Sequence, residues 1–327
     1  MPANLPPAYF EAEAVYRQAA TPAEKVEALQ AMLAVMPKHK GTDHLRADLR
    51  ARIARLSHEA ERRGGPARSQ LYSVRKEGAG QVALVGPPNV GKSQLLGALT
   101  AATPKVAPYP FTTQLPQPAM MLFENVHIQL VDLPPVAEQA THAWMRPIIR
   151  QADLLLLMVD LSEDPLADLE CILAELAAVR VEPVAVPEPE TLDGLVLQRR
   201  AVVVANKLDV PGAADVYALL LEEVAGRWPT VAISATNPQR LDELRGLIFD
   251  RLEVVRVYTR APGRQPDLSR PVILPTGSTL QDLAEALHVS FSGRVRYAQV
   301  WGSGKFQGQR VSRTYTPQDG DVVELYA

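Results

Sequence analysis

The sequence predicts an α/β domain on a mainly parallel sheet, set between an N-terminal helical segment and a small C-terminal α+β module. Three observations predict it. From Gln81 onward, short apolar runs alternate with stretches of helical period, the pattern of strands joined through crossover helices. The first of these runs passes directly into a glycine-rich loop and then a helix. Charge divides the 327 residues in the same way: thirteen basic against nine acidic side chains over 1–79, twelve against 22 over 80–253, and nine against six over 254–327. The net charge of -3 therefore averages an acidic middle with two mildly basic arms, an asymmetry that suggests arms facing nucleic acid or an acidic partner. At 47% hydrophobic the composition is globular. A single cysteine, Cys171, excludes a disulfide framework and a cysteine-based zinc finger and fits a reducing compartment, so the cytoplasm is expected. The longest apolar run, Leu154 to Val159, has strand length, and no membrane segment is expected.

Residues 1–79 read as helices. Thr21-Pro22-Ala23-Glu24 offers a capping box with proline at the first helical position, and Val26, Leu29, Met32 and Leu33 follow at helical spacing. A second helix carries Leu45, Leu49, Ile53 and Leu56 on its apolar stripe and stops at Gly64-Gly65. Arg46, Arg50, Arg52, Arg55, Arg62 and Arg63 lie mostly off that stripe, on a surface suited to RNA or simply to water. Residues 80–253 hold the α/β domain, with strands expected near 82–86, 119–123, 126–131, 154–160, 201–205 and 230–234. The proline-rich stretch 182–190 is incompatible with helix and is expected to be a surface excursion. Residues 254–327 read as the α+β module, with strands at 254–259, 295–301 and 322–326 and a helix near 280–287.

The chemistry concentrates in one constellation. After the strand Val82 to Val85 come Gly86, Pro87, Pro88, Asn89, Val90, Gly91, Lys92 and Ser93, then Gln94 opening a helix: strand, G-x-x-x-x-G-K-S loop, helix. Such a loop turns successive backbone N–H groups inward around phosphate oxygens at a helix N-terminus. Lys92 is then expected to reach the β and γ phosphates, and the Ser93 hydroxyl to ligate Mg²⁺. Lysine is scarce, with eight among 34 basic residues, so its use here is informative: a compact ammonium fits where a planar guanidinium would crowd the loop. Asn206, Lys207 and Asp209 form N-K-x-D directly after an apolar strand. The Asp209 carboxylate can accept both guanine N1–H and the 2-amino group, a donor pair adenine lacks, and the Lys207 stem would lie over the base. Ser234, Ala235 and Thr236 end the next strand, where the Ala235 N–H is placed to contact guanine O6. Between the two motifs Asp132 ends a strand, suited to hold Mg²⁺ through water, and the Thr112-Thr113 pair offers a switch hydroxyl to the same ion.

On these residues the chain resembles the Obg-type GTPases, and within them most closely the developmentally regulated GTP-binding proteins. Gly86 to Ser93, Tyr109-Pro-Phe-Thr-Thr113 and Asp132-Leu-Pro134 look like that family's first three motifs. Val255 to Thr259, Pro271 to Leu274, Tyr297 to Gly302 and Asp319 to Glu324 look like a TGS domain, a ubiquitin-like module. The resemblance implies a P-loop GTPase domain at 80–253 and a TGS domain at 254–327, with GTP and GDP as ligands and Mg²⁺ as cofactor. It also implies a ribosome or RNA partner reached through the basic arms and the TGS domain. It assigns the switch ligand to Thr113, and matches Asn89 to an asparagine that can hold K⁺ beside the phosphates in related GTPases. Lys92, Thr113 and Asn89 are thus the residues expected to serve catalysis.

The chain also departs from the family. The third motif normally reads D-x-x-G, whose glycine N–H binds the γ phosphate, but here it reads Asp132-Leu-Pro-Pro135. Proline has no N–H to give. Val136 follows, where a Ras-like enzyme has its water-positioning glutamine, so slow intrinsic hydrolysis is expected, helped by a cation such as K⁺ or by a partner. Two functions are compatible with this: a slow GTP hydrolase acting as a switch on ribosomes or RNA, and a nucleotide-binding adaptor that hydrolyses little or not at all.

Overall fold

The computed structural model describes residues 74–100, 116–136, 144–188, 196–261, 264–287, 295–304 and 306–326, with residues 16, 25, 28–29, 32, 49 and 52–53 of the leader. The chain forms two compact units, Met1–Ser73 and Val74–Ala327. In the first, every described position is helical, and Leu29, Met32 and Leu49 are buried, as their place on the apolar stripes requires. Of the leader arginines singled out above, only Arg52 is among the described residues. The capping box at Thr21 and Glu24 lies outside them.

The second unit holds the sheet domain. Its strands are β1 (Gln81–Val85), β2 (Gln117–Phe123), β3 (Val126–Asp132), β4 (Leu154–Asp160), β5 (Val181–Val184), β6 (Leu197–Asn206) and β7 (Thr230–Ala232). They run in the order β2-β3-β1-β4-β6-β5, with β7 also on β6, and only β2 is antiparallel to its neighbour. Helices α1 (Lys92–Leu99), α2 (Met145–Gln151), α3 (Pro165–Ala178), α4 (Ala213–Glu223) and α5 (Leu241–Leu252) cover both faces. The strand period of two explains why β4 reads as an unbroken apolar run. Leu155, Leu157 and Val159 pack under α2, α3 and α4, while Leu154, Leu156 and Met158 pack under α1 and α5.

One expectation fails here. The segment expected to be a surface excursion begins with a true strand, β5, paired in parallel with β6. Pro183 is tolerated in it because β5 is the sheet's edge, where the missing N–H faces no partner. The Pro183 carbonyl instead accepts a bond from Trp228 Nε1 at 2.9 Å. Strand β6 also begins earlier than expected, because β5 extends the ladder at its start.

The C-terminal module comprises β8 (Val254–Thr259), β9 (Val272–Pro275), α6 (Leu280–Ala286), β10 (Tyr297–Trp301), β11 (Gln309–Val311) and β12 (Val322–Tyr326), in the order β11-β10-β12-β8-β9. Strands β9 and β11 are additions to the expected set. A capping box opens α6: the Thr279 hydroxyl accepts from the Asp282 N–H, and Asp282 Oδ2 accepts from the Thr279 N–H. Leu280 and Leu283 then pack on Val257, Ala298, Val300 and Val323.

Candidate nucleotide-binding site

The C-terminal ends of the parallel strands β1, β3, β4, β6 and β7 lie along one edge of the sheet, where ligand crevices of such folds open. At the end of β1 the chain turns through Gly86 and the half-buried Pro87 and Pro88 to Asn89, exposed at the loop tip in a left-handed conformation with φ 65°. Val90 is buried, and Gly91 caps α1 with φ 91°. A Cβ on Gly91 would overlap Asn206 Nδ2, so both backbone and neighbour demand glycine. Lys92 Nζ donates to the Gly86 and Pro87 carbonyls, each at 2.8 Å. Burial pushes this ammonium down to about 8, against the opposing pull of the Asp132 and Asp168 carboxylates. Gln94 stands exposed in the first turn of α1.

Beside the loop, the Ser93 hydroxyl donates to Asp132 Oδ2 at the end of β3. Asp132 is fully buried, and burial raises its carboxyl pKa above the usual carboxylate range, with the Ser93 bond and Lys92 opposing. Its Oδ1 has no hydrogen-bond partner among the described residues. A buried carboxylate oxygen without a partner, next to a serine hydroxyl, is a hard oxygen set that fits Mg²⁺. There the ion would neutralise charge on the phosphates held by the loop. Thr113, the third expected ligand, lies outside the described residues.

Asn206 joins three loops. Its Nδ2 donates to the Val90 carbonyl at 2.8 Å, and its Oδ1 accepts the Ala235 N–H at 3.0 Å. The amide expected to face guanine O6 is therefore directed at Asn206 here. Ser234 is buried and accepts from the Asn237 N–H at 3.0 Å, while Thr236 is exposed. Lys207, at φ 69°, points its ammonium at Asp160, the last residue of β4. Asp209 is exposed two residues further on. Asp160, Ser162 and Asp168 were missed in the sequence. A strand ending in aspartate was visible, but no spacing ties it to Lys207.

The departure in the third motif has a structural counterpart. Leu133 and Val136 are both buried in the core under α2 and α3, and the Val136 N–H donates to the Gly86 carbonyl at 3.1 Å. The side chain standing in the glutamine's place thus packs inward.

The fold and site define a GTPase followed by a TGS module. The family model described as 50S ribosome-binding GTPase matches residues 81–187, and the TGS domain model matches residues 255–327. Within that class, the chain is a GTP-binding protein similar along its length to the developmentally regulated GTP-binding proteins, for which the label Obg-type is somewhat loose. An uncharacterized GTP-binding protein of Methanocaldococcus jannaschii is 28% identical, with 92% of each chain covered. The developmentally-regulated GTP-binding protein 2 homolog of Dictyostelium discoideum is 28% identical over 92% of this chain and 98% of its own. Among solved structures, Era of Aquifex aeolicus bound to GDP.AlF4- overlaps with a TM-score of 0.42 at 22% identity, over 68% of this chain and 72% of that one. That overlap is too loose to bear on the site.

Proposed function

We propose that this GTPase is a slow, K⁺-stimulated switch that works on the ribosome or on RNA in the cytoplasm. The observation that carries the slow rate is Val136, buried at 1% exposure with its N–H bonded to Gly86: this position offers no polar side chain to orient water. In this reading the backbone from Gly86 to Ser93 cradles the phosphates, with Lys92 on the β and γ groups and Gln94 beside them. Ser93, Thr113 and Asp132 hold Mg²⁺. Asn89 holds K⁺, whose charge replaces that of an arginine finger. Asn206, Lys207 and Asp209, with Ser234, Ala235 and Thr236, form the guanine pocket. Residues 1–79 and 254–327 act as docking arms for the domain at 80–253. The matched family's description as ribosome-binding and the basic arms support the partner. The single cysteine, and the absence among the described residues of any helix long and apolar enough to cross a membrane, support the location.

A second reading, a nucleotide-binding adaptor with little hydrolysis, is favoured by Pro135, which has no N–H for the γ phosphate. Turnover of GTP in KCl against NaCl, with and without ribosomal subunits, separates the two. The switch reading expects K⁺ stimulation that Asn89→Ala abolishes, and hydrolysis absent in every condition leaves only the adaptor. Base identity has its own check: Asp209→Asn should move preference from GTP toward XTP, because the carboxamide offers a donor to the 2-oxygen of xanthine. Competition binding with an unshifted preference would contradict the N-K-x-D assignment.

A further inference from the structure

Asp160 is buried at 3% exposure, yet it is ringed by donors. Its Oδ1 accepts from the Ser162 N–H at 2.8 Å and the Ser162 hydroxyl at 2.6 Å, and its Oδ2 pairs with the Lys207 ammonium. The Asp160 N–H in turn donates to Asp168 Oδ2 at 2.9 Å, which fixes the strand end against the first turn of α3. Asp160 and Asn206 are register partners on adjacent parallel strands, so their two loops leave the sheet side by side. Lys207 is therefore held at both ends, by its backbone at one and by a buried carboxylate at the other. Its side chain keeps 31% of its surface open between them.

We propose that Asp160, braced by Ser162, is a positioning residue for the nucleotide base. By tethering the Lys207 ammonium it holds the aliphatic stem as a fixed apolar surface on which the guanine plane rests. A lysine stem loses substantial rotamer freedom when ordered, and the carboxylate removes that freedom before the ligand arrives. The inference rests on the guanine reading of N-K-x-D. The competing account is an ion pair that merely closes the β4 loop.

Ligands that differ in having a base separate the accounts. Binding of GDP and of inorganic tripolyphosphate, each with Mg²⁺, is measured on the full chain for wild type, Asp160→Asn, Lys207→Ala and the double variant. The expected result is a loss of about tenfold in GDP affinity for Asp160→Asn, with tripolyphosphate binding unchanged. In the double variant GDP should bind no more weakly than in Lys207→Ala, since the carboxylate acts only through the lysine. Equal losses for both ligands, an unchanged GDP affinity, or additive losses in the double variant would each overturn the proposal. Should Asp160→Asn fail to fold by thermal melting, Ser162→Ala gives the same reading, with a loss of a few-fold confined to GDP. Wild-type protein that takes tripolyphosphate but not GDP would instead refute the guanine reading, and the inference with it.

Discussion

Lys92 donates to two carbonyls of its own loop, which leaves the third N–H of its ammonium for the phosphate proposed above. Its lowered pKa would make that contact sensitive to pH. The folded value is about 8 against 10.5 for a free lysine side chain, so this group disfavours the fold in full below about 8. The penalty fades as pH rises from about 8 to 10.5, because the unfolded chain then holds a proton that the folded chain has shed. Phosphate prefers the ammonium, so GDP affinity should move the opposite way. It is expected to fall about tenfold between about pH 7 and about pH 9. Calorimetric titration at these values checks it, with Lys92→Met as the control that should bind weakly and show a flat profile. The strand, loop and helix around Gly86 to Ser93 were legible from spacing alone, since a phosphate loop is a local backbone device. The bond from Asn206 to Val90 was not, because its partners are 116 residues apart.

Among elements, the loop after β3 and the edge strand β5 each owe their form to prolines set in a tertiary context. In the loop, Pro135 stands where the resembled motif has a glycine, and it offers no N–H, which the sequence reveals. The lock between the Val136 N–H and the Gly86 carbonyl emerges only from the fold. Pro135→Gly should restore the donor and raise the preference for a non-hydrolysable GTP analogue over GDP by about tenfold, the range of one bond to a charged acceptor. Paired dissociation constants check this, and an unchanged ratio would mean that the loop does not face the phosphate. At β5 the prolines exclude a helix, as expected, yet the segment is a strand rather than a surface excursion. Whether a proline breaks a strand depends on which side of it lies empty, and only sheet order decides that. The expected strands β1 and β4 were readable because both their faces are buried, which leaves apolar runs.

At the scale of the whole molecule, the TGS module is fastened to the tip of the β2–β3 hairpin. The Arg256 side chain, 15% exposed, forks onto Asp319, pairs with Glu124, and lies 5.0 Å over the Phe249 ring. Asn125 Nδ2 donates to the Tyr258 hydroxyl at 2.7 Å and to the Leu268 carbonyl at 3.0 Å. The carboxylate partners of Arg256 are considerably more exposed than it is, so solvent screens the pairs. Arg256→Ala should cost about 1–2 kcal/mol, much of it from lost packing. Hydrogen exchange is expected to quicken at β8 and at the Asp319–Asp321 turn while amides of the phosphate loop stay unchanged. Uniform exchange rates across wild type and variant would show that the contact holds nothing. By itself the sequence determined the class of protein: strand, loop and helix periods and the order of the nucleotide motifs are local features, written in consecutive residues. The tertiary structure alone decided how the parts brace one another, through Asn206 to Ala235, Lys207 to Asp160 and Arg256 to Glu124. Each of these contacts joins residues distant in the chain, and no local period of the sequence encodes which remote partner the packed sheet will bring into reach.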